Sequence, residues 1–378
     1  MSALALAPAP ARRALLIGRS SVIMETVLAE LRALGVEAVG DVDPEHAADR
    51  ADAGDFAIVA IGRGVGGPAR CRLRERFLAR NPRVTLMDVA LHETAARVAG
   101  ALAGRDPEGV DLAAYFARIG YSGPVGLDLE TLRALVAAHM SAIPFENLDV
   151  VAGKGVDISA RSVDAKLIGA RRGGYCYEQN GLFKRVLAAL GFEVDALMAR
   201  VLLNQEPGRP MGRSHMTLKV TLGDEAHLVD VGFGGYGPAA PLRLAVESPQ
   251  ETPHELYRLS GYGPLLRLEA ETEGRWTPLY EFSGEIQLPV DYLAANWFTS
   301  THPSSFFTRQ IVAARTTSEA RYALYGRRLT IRRPGAEVER RELTAEEIGR
   351  ALHELFLLKV EPEWAPLIER TAREDAGR

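Results

Sequence analysis

The stretch RRGGYCYEQN, Arg171 to Asn180, sets one of the chain's two cysteines two positions after a glycine pair and two positions before a glutamate. Behind Cys176, the residues Leu182, Phe183, Val186, Leu187 and Leu190 recur at helical spacing, and Gly191 closes the run. Cys176 is therefore expected in the first turn of a helix. A thiol at such a position feels the positive end of the helix dipole, which favours the nucleophilic thiolate. The backbone N–H groups of a helix start can also hold an oxyanion. A nucleophilic thiol needs a base, and the base needs an orienting group. His215 in SHMTLKVTL and Asp230 in HLVDVGF supply those two types, each on a predicted strand. Adjacent antiparallel strands would set them side by side. On residue types alone, a plainer reading stands beside this one. A lone cysteine is by default a small core residue, a strand histidine is usually structural, and an aspartate before Val-Gly usually ends a strand. His139, on a helix with Leu132, Leu135 and Val136, and His227, close to Asp230, show how readily a histidine invites over-reading.

The elements that must carry these residues fall into two blocks. Residues 12–104 alternate short apolar strands (14–18, 36–40, 56–62, 84–88) with helical spacing, which predicts a doubly wound parallel sheet of flavodoxin or Rossmann type. AGRDPEG, 103–109, reads as a linker. Beyond it, 111–140 and 176–190 read as amphipathic helices. From about 194 to 300 the pattern is of short strands and turns, and from about 303 it mixes strands (327–333) with a terminal helix (344–357). The whole is a multidomain α/β and α+β chain.

Composition narrows the function classes. Apolar residues make up 47% and charged residues 25%, an ordinary globular balance. A net charge of -4 gives no electrostatic reason to expect nucleic acid or an anionic membrane as partner. No apolar run approaches the ~20 residues of a membrane span. Two cysteines far apart in sequence point to reduced thiols and a cytoplasmic setting. Residues 1–11 carry an Ala-x-Ala pattern but no basic region ahead of it, and Pro8 and Pro10 interrupt the apolar run, so they read as a disordered leader.

The motifs around the three candidate residues resemble the arylamine N-acetyltransferase family. Arg172 to Asn180 matches its R-G-G-x-C-x-E-x-N, and Ile143 to Leu148 matches its I-P-F-E-N-L. Ser214-His215-Met216 and Leu228 to Gly234 match the segments holding its histidine and aspartate. Asn296-Trp297-Phe298 and Thr301 to Phe307 resemble its lid-proximal stretch. The resemblance covers roughly 108–370. It implies a transferase module of a helical subdomain (108–193) with Cys176, a β-barrel-like subdomain (194–300) with His215 and Asp230, and an α/β lid (301–370). It implies ping-pong acetyl transfer from acetyl-CoA to an arylamine or hydrazine through a Cys176 thioester, with His215 moving protons and Asp230 orienting it. By the same resemblance Phe145, Phe233 and Phe307 line the acceptor pocket, although core packing explains Phe307 as well. The resemblance also implies that Gly234, Thr301 and Ser305 contact the coenzyme. No metal and no permanently bound cofactor are expected.

Three alternatives remain. An amide synthase of the same fold would take its acyl chain from a carrier protein and close a macrolactam. A papain-like thiol hydrolase shares the order Cys, His, Asp. A binding or regulatory protein with a vestigial transferase module is the third, and an intact Cys176/His215/Asp230 set argues against it. The block before residue 104 has no counterpart in the single-module enzyme. Its Gly62-Arg63-Gly64-Val65-Gly66-Gly67 contains G-x-G-x-x-G, but after the third strand. The dinucleotide fingerprint belongs in the first β-α turn, here Gly18-Arg19-Ser20-Ser21. Strand three also ends without an acceptor aspartate. Docking or oligomerisation is the expected role.

Overall fold

The computed structural model describes residues 13–373 apart from 82–83, 90, 92–93, 103–108, 207–211 and 247. The expected leader, and all of the expected linker except Gly109, lie outside the described residues. The chain divides into two compact units, Met1–Gly109 with Leu187–Glu193, and Val110–Val186 with Val194–Arg378.

The first unit runs β1 (Arg13–Ile17), α1 (Ser21–Ala33), β2 (Glu37–Asp41), α2 (Ala47–Arg50), β3 (Ile58–Gly62), α3 (Gly67–Arg80), β4 (Thr85–Val89) and α4 (Thr94–Leu102). The strands pair in parallel in the order β2-β1-β3-β4. Alternate residues of each strand serve opposite faces. Leu15, Ile17, Val59 and Ile61 pack with Leu73 and Phe77 of α3. Ala14, Leu16, Ile58 and Ala60 pack with Val27 and Leu31 of α1 and Val98 of α4. Burial on both faces is why the central strands β1 and β3 read as nearly unbroken apolar runs, while the edge strand β2 is only partly buried.

The second unit opens with α5 (Leu112–Ile119), α6 (Leu129–Ala142), β5 (Phe145–Glu146), α7 (Leu148–Val151), α8 (Ala160–Asp164) and α9 (Cys176–Leu190). The apolar pattern over 111–140 belongs to two helices. α5 ends at Gly120 in the left-handed region, and Asp128 starts α6 by accepting from the Thr131 N–H. Next come β6 (Glu193–Val201), β7 (His215–Leu222), β8 (Glu225–Val229), β9 (Leu242–Arg243), β10 (Gln250–Glu251), β11 (Leu256–Tyr262), β12 (Leu265–Thr272) and β13 (Arg275–Ile286). They form one near-barrel sheet in the order β10-β11-β12-β13-β6-β7-β8-β9, cored by Leu197, Tyr257, Leu268, Leu279 and Phe282. The segment expected to hold only strands also contains α10 (Asp291–Thr301). Its buried stripe is Tyr292, Asn296, Thr299 and Ser300, while Leu293, Trp297 and Phe298 face solvent. A helix whose buried positions are polar escapes an apolar-periodicity search.

The chain ends with β14 (Val312–Thr316), β15 (Arg321–Tyr325), β16 (Arg328–Arg332), β17 (Glu339–Glu342), α11 (Ala345–Glu354) and α12 (Ala365–Arg373). The sheet order is β17-β16-β15-β14-β5, so a strand from the expected helical part completes the sheet of the expected lid. Two residues are too few for strand periodicity to register, which is why β5 is silent in sequence. Its neighbours form a buried charge cluster. Arg172 donates to Glu146 at 2.8 Å and lies 3.2 Å from Asp149. Lys166 sits 2.8 Å from both Asp149 and Glu178. Burial works against the charge on Lys166, but Glu146, Glu178 and Asp149 outweigh it and raise its pKa. The Arg172 guanidinium also lies 4.6 Å over the ring of Trp364, just before α12.

Arg172→Ala leaves the fully buried Glu146 carboxylate without its nearest cation. It is expected to cost about 3–5 kcal/mol of stability in urea unfolding. A loss below about 1 kcal/mol, the worth of a surface pair, would show that Arg172 is a peripheral charge.

Candidate active site

Cys176 is the first residue of α9 and is buried. Its helix start is built by its own sequence. The N–H groups of Glu178 and Gln179 donate to Tyr175 O, and Glu178 Oε2 accepts from the Tyr175 N–H at 3.0 Å. This is the carboxylate half of a capping box. Burial raises the Glu178 pKa, and Lys166 opposes that rise. Just upstream, a Cβ at Gly173 would sit 2.1 Å from Pro144 O, so only glycine lets the loop approach β5 this closely.

His215 is the first residue of β7. The antiparallel register pairs Leu218 with Val229, and one further step sets Thr217 opposite Asp230. His215 then lies diagonally across from Asp230 on the same face. Asp230 stands one residue beyond β8, at its end rather than within it. His215 Nε2 donates to Asp230 Oδ2 at 2.6 Å, with both side chains buried. The Cys176 side chain acts on the same ring and favours its charged form. The Cys176 sulfur also lies 3.9 Å from Ser214 O. Burial alone would lower the His215 pKa. The Asp230 carboxylate and the Cys176 side chain outweigh it and push it up to about 10.

Asn180, one turn after Cys176, joins the three elements. Its Nδ2 donates to Met216 O at 2.7 Å and to Asp230 Oδ1 at 3.0 Å, and its Oδ1 accepts from the Val231 N–H at 3.0 Å. The Gly232 N–H adds a second bond to Asp230 Oδ1 at 3.0 Å. A Cβ at Gly232 would lie 2.8 Å from both Asn180 Nδ2 and Cys176 Cα, so this loop passes the helix only as glycine.

A second buried chain runs behind the cysteine. Gln179 Nε2 donates to Pro144 O at 2.7 Å and Gly174 O at 3.2 Å. Two carbonyl acceptors fix the amide orientation, so Gln179 Oε1 must accept from His139 Nε2 at 2.7 Å. His139 Nδ1 is then unprotonated and accepts from the Tyr115 hydroxyl at 2.9 Å. Burial lowers the His139 pKa to about 4, which keeps the ring neutral and the chain intact.

The other expected site residues divide. The Phe233 ring is 5.1 Å from the His215 ring, Phe145 is 5.9 Å from Phe307, and Phe307 is 6.3 Å from Tyr175. Gly234, at φ +89°, brings its backbone against the Phe145 ring. These four belong to the cysteine's neighbourhood. Thr301 stands at the end of α10, its hydroxyl donating to Trp297 O, and the Ser305 hydroxyl donates to Thr299 O while accepting from the Phe307 N–H. Sequence reading gave no part to Asn180, Glu178 or Gln179, although their offsets from Cys176 place them on the same first turns of the helix.

The family model described as N-acetyltransferase matches residues 128–365. The arylamine N-acetyltransferase of Mycolicibacterium smegmatis is 46% identical over 231 residues, covering 60% of this chain and 84% of that enzyme. The solved arylamine N-acetyltransferase of M. tuberculosis matches with a TM-score of 0.66 at 40% identity, over 70% of this chain and 100% of that one. The Mycobacterium marinum enzyme solved in complex with CoA matches with a TM-score of 0.65 at 41% identity, over 69% of this chain and 98% of that one. The family match begins after Gly109, where the main segment of the first unit ends. A helix-borne cysteine, a histidine–carboxylate pair and this likeness over nearly the full length of known enzymes lead to one statement: the chain belongs to the arylamine N-acetyltransferase family and is an acetyltransferase.

Proposed function

We propose that this enzyme carries an acetyl group from acetyl-CoA to an arylamine or hydrazine by way of a thioester on Cys176. The observation that carries this reading is the His215–Asp230 pair at 2.6 Å beside a cysteine at the start of α9. The Cys176 sulfur attacks the donor's carbonyl carbon, its new C–S bond replaces the coenzyme's, and CoA leaves with a proton from His215. The amine nitrogen then attacks the Cys176 thioester, His215 takes the amine proton, and the sulfur is released. The first-turn amides of α9 ahead of Glu178 face the oxyanion of each tetrahedral intermediate, since those of Glu178 and Gln179 donate to Tyr175 O. Asp230 holds the ring in one tautomer and supports its charge.

Phe145, Phe233 and Phe307 give the acceptor site aromatic walls suited to a flat amine. Gly234 lets backbone come close to the acyl donor. The Thr301 and Ser305 hydroxyls already donate to carbonyls, so in this reading they shape the 301–307 turn against which the coenzyme lies. The catalytic module spans about 108–370, and the unit before it serves docking or oligomerisation. Cys71 and Cys176 are both free, and among the described residues no helix is long and apolar enough to cross a membrane. A cytoplasmic enzyme accords with both.

Three outcomes follow from these assignments. Incubated with acetyl-CoA and weighed intact, the parent and Cys71→Ala should each gain one acetyl group, and Cys176→Ala none. An acyl-enzyme that forms only from a carrier-bound acyl chain would mark an amide synthase instead.

The second concerns pH. The folded pKa of His215, about 10, lies above its ordinary value of 6.5. A raised pKa means the charged ring stabilises the fold fully below about pH 6.5. That contribution is lost as pH rises through about 10. Asp230→Asn removes the carboxylate behind the shift. It should flatten this alkaline loss of stability, move the alkaline limb of acyl-enzyme formation towards neutrality, and slow that step by about 10³–10⁴-fold. Unchanged pH profiles would make Asp230 a structural residue.

The third concerns His139. His139→Phe strands the Tyr115 hydroxyl and Gln179 Oε1 and should cost about 2–4 kcal/mol, with slower acylation. Tyr115→Phe leaves only His139 Nδ1 without its donor and should cost less, about 1–2 kcal/mol. Equal losses in the two variants would mean that no ordered chain runs through His139.

A further inference from the structure

We propose that the first unit binds a nucleotide-class ligand, a flat base joined to a phosphate, in the crevice at the carboxyl ends of β1 and β3. The chain leaves β1 towards β2 on one side and returns to place β3 on the other, so the strand order reverses between them. In open parallel sheets, ligands bind at such a reversal, beyond the carboxyl ends of the strands. A cavity of about 260 Å³ lies there.

The two ends of the cavity differ in chemistry. Its floor is apolar, made by Leu16, Met24, Val27, Ala60 and Val89, and Ile23 and Leu91 stand exposed beside it. Its rim holds Arg19 and Ser20 from the turn after β1, Arg63 and Gly64 from the turn after β3, and Thr94 at the start of α4. Two guanidinium groups and no carboxylate stand among the described lining residues. The opening turn of α1 adds backbone amides with no intrahelical acceptor, apart from the Ile23 N–H, which Ser20 Oγ caps. An apolar slot beneath a cationic rim suits a planar ring carrying an anion. The rim unites the two glycine-containing turns that the sequence singles out, Gly18-Arg19-Ser20 and Gly62-Arg63-Gly64, although neither carries the dinucleotide fingerprint at the usual place. Arg19 is ion-paired with Glu45 outside the cavity, so an arriving phosphate competes with that carboxylate.

Isothermal titration of the full-length chain with AMP, with adenosine and with inorganic phosphate tests this. AMP should bind, with adenosine and inorganic phosphate each at least about tenfold weaker, because each supplies half of the recognition. Arg63→Ala should weaken AMP by about tenfold or more. Val27→Phe, which fills the floor, should abolish binding at this site. Glu45→Gln should tighten AMP by releasing Arg19, and this surface change keeps the test decisive if a variant at the cavity fails to fold. The proposal is overturned by absence of AMP binding, by inorganic phosphate binding as tightly as AMP, by parent-like AMP affinity in folded Arg63→Ala or Val27→Phe, or by no tightening in Glu45→Gln. Parent-like affinity in the cavity variants would place any bound AMP elsewhere on the chain.

Discussion

Asn180 Nδ2 donates to Met216 O and to Asp230 Oδ1, while its Oδ1 accepts from the Val231 N–H. Through these three bonds one buried amide ties the helix that bears Cys176 to the strand that begins with His215 and to the loop that holds Asp230. Each of those elements has other reasons to exist, in helix caps, sheet register and core packing. None of these sets the separation between the sulfur and the ring. The amide does, because a buried donor or acceptor that loses its partner costs about 1–3 kcal/mol, and a shift of any of the three elements would strand one. Gly232 is the steric counterpart of this clamp, since any larger residue would push the aspartate loop off the helix.

The backbone ahead of the cysteine is pinned with comparable thoroughness. Arg172 is held by Glu146, the Gly174 carbonyl by Gln179, and the Tyr175 amide by Glu178. Glu178 has two tasks that depend on each other. As the third residue of α9 it caps the helix and lies at the positive end of its dipole. As a buried carboxylate it needs a cation, which Lys166 provides at 2.8 Å. The charge cluster is costly to bury. It is sited where its hydrogen bonds fix the loop that leads into Cys176, the proposed nucleophile, so the expense of desolvation coincides with the need for rigidity.

Much of this was legible in sequence, for identifiable reasons. The parallel strands of the first unit announce themselves because β1 and β3, at the centre of the sheet, are buried on both faces and almost wholly apolar. The helix behind Cys176 was plain from its stripe and closing glycine. The acetyltransferase family rested on separated motifs in a fixed order, not on periodicity. What escaped was polar or short. α10 buries Asn296, Thr299 and Ser300, β5 is two residues long, and Gly120 divides a pattern that otherwise runs on. Asn180 and Gln179 stood inside a quoted motif, yet their partners lie on Met216, Val231, Pro144 and Gly174, and pairings at such distances along the chain leave no local signal.

Two buried histidines, His139 and His215, show why residue type and burial could not have separated them. Both His139 and His215 are almost wholly shielded from water. Both hydrogen-bond through Nε2 to an oxygen, at 2.7 Å and 2.6 Å. For His139 that oxygen belongs to a neutral amide, which cannot repay desolvation of a charged ring, and the pKa falls to about 4. For His215 it belongs to a carboxylate, and the pKa rises to about 10. One ring is therefore neutral at physiological pH and serves as a fixed relay of hydrogen bonds. The other carries its proton beside the cysteine. The difference between the two histidines lies chiefly in the partner atom, and the fold selects that partner by bringing Asp230 to the end of β8 for His215 and Gln179 of α9 to His139.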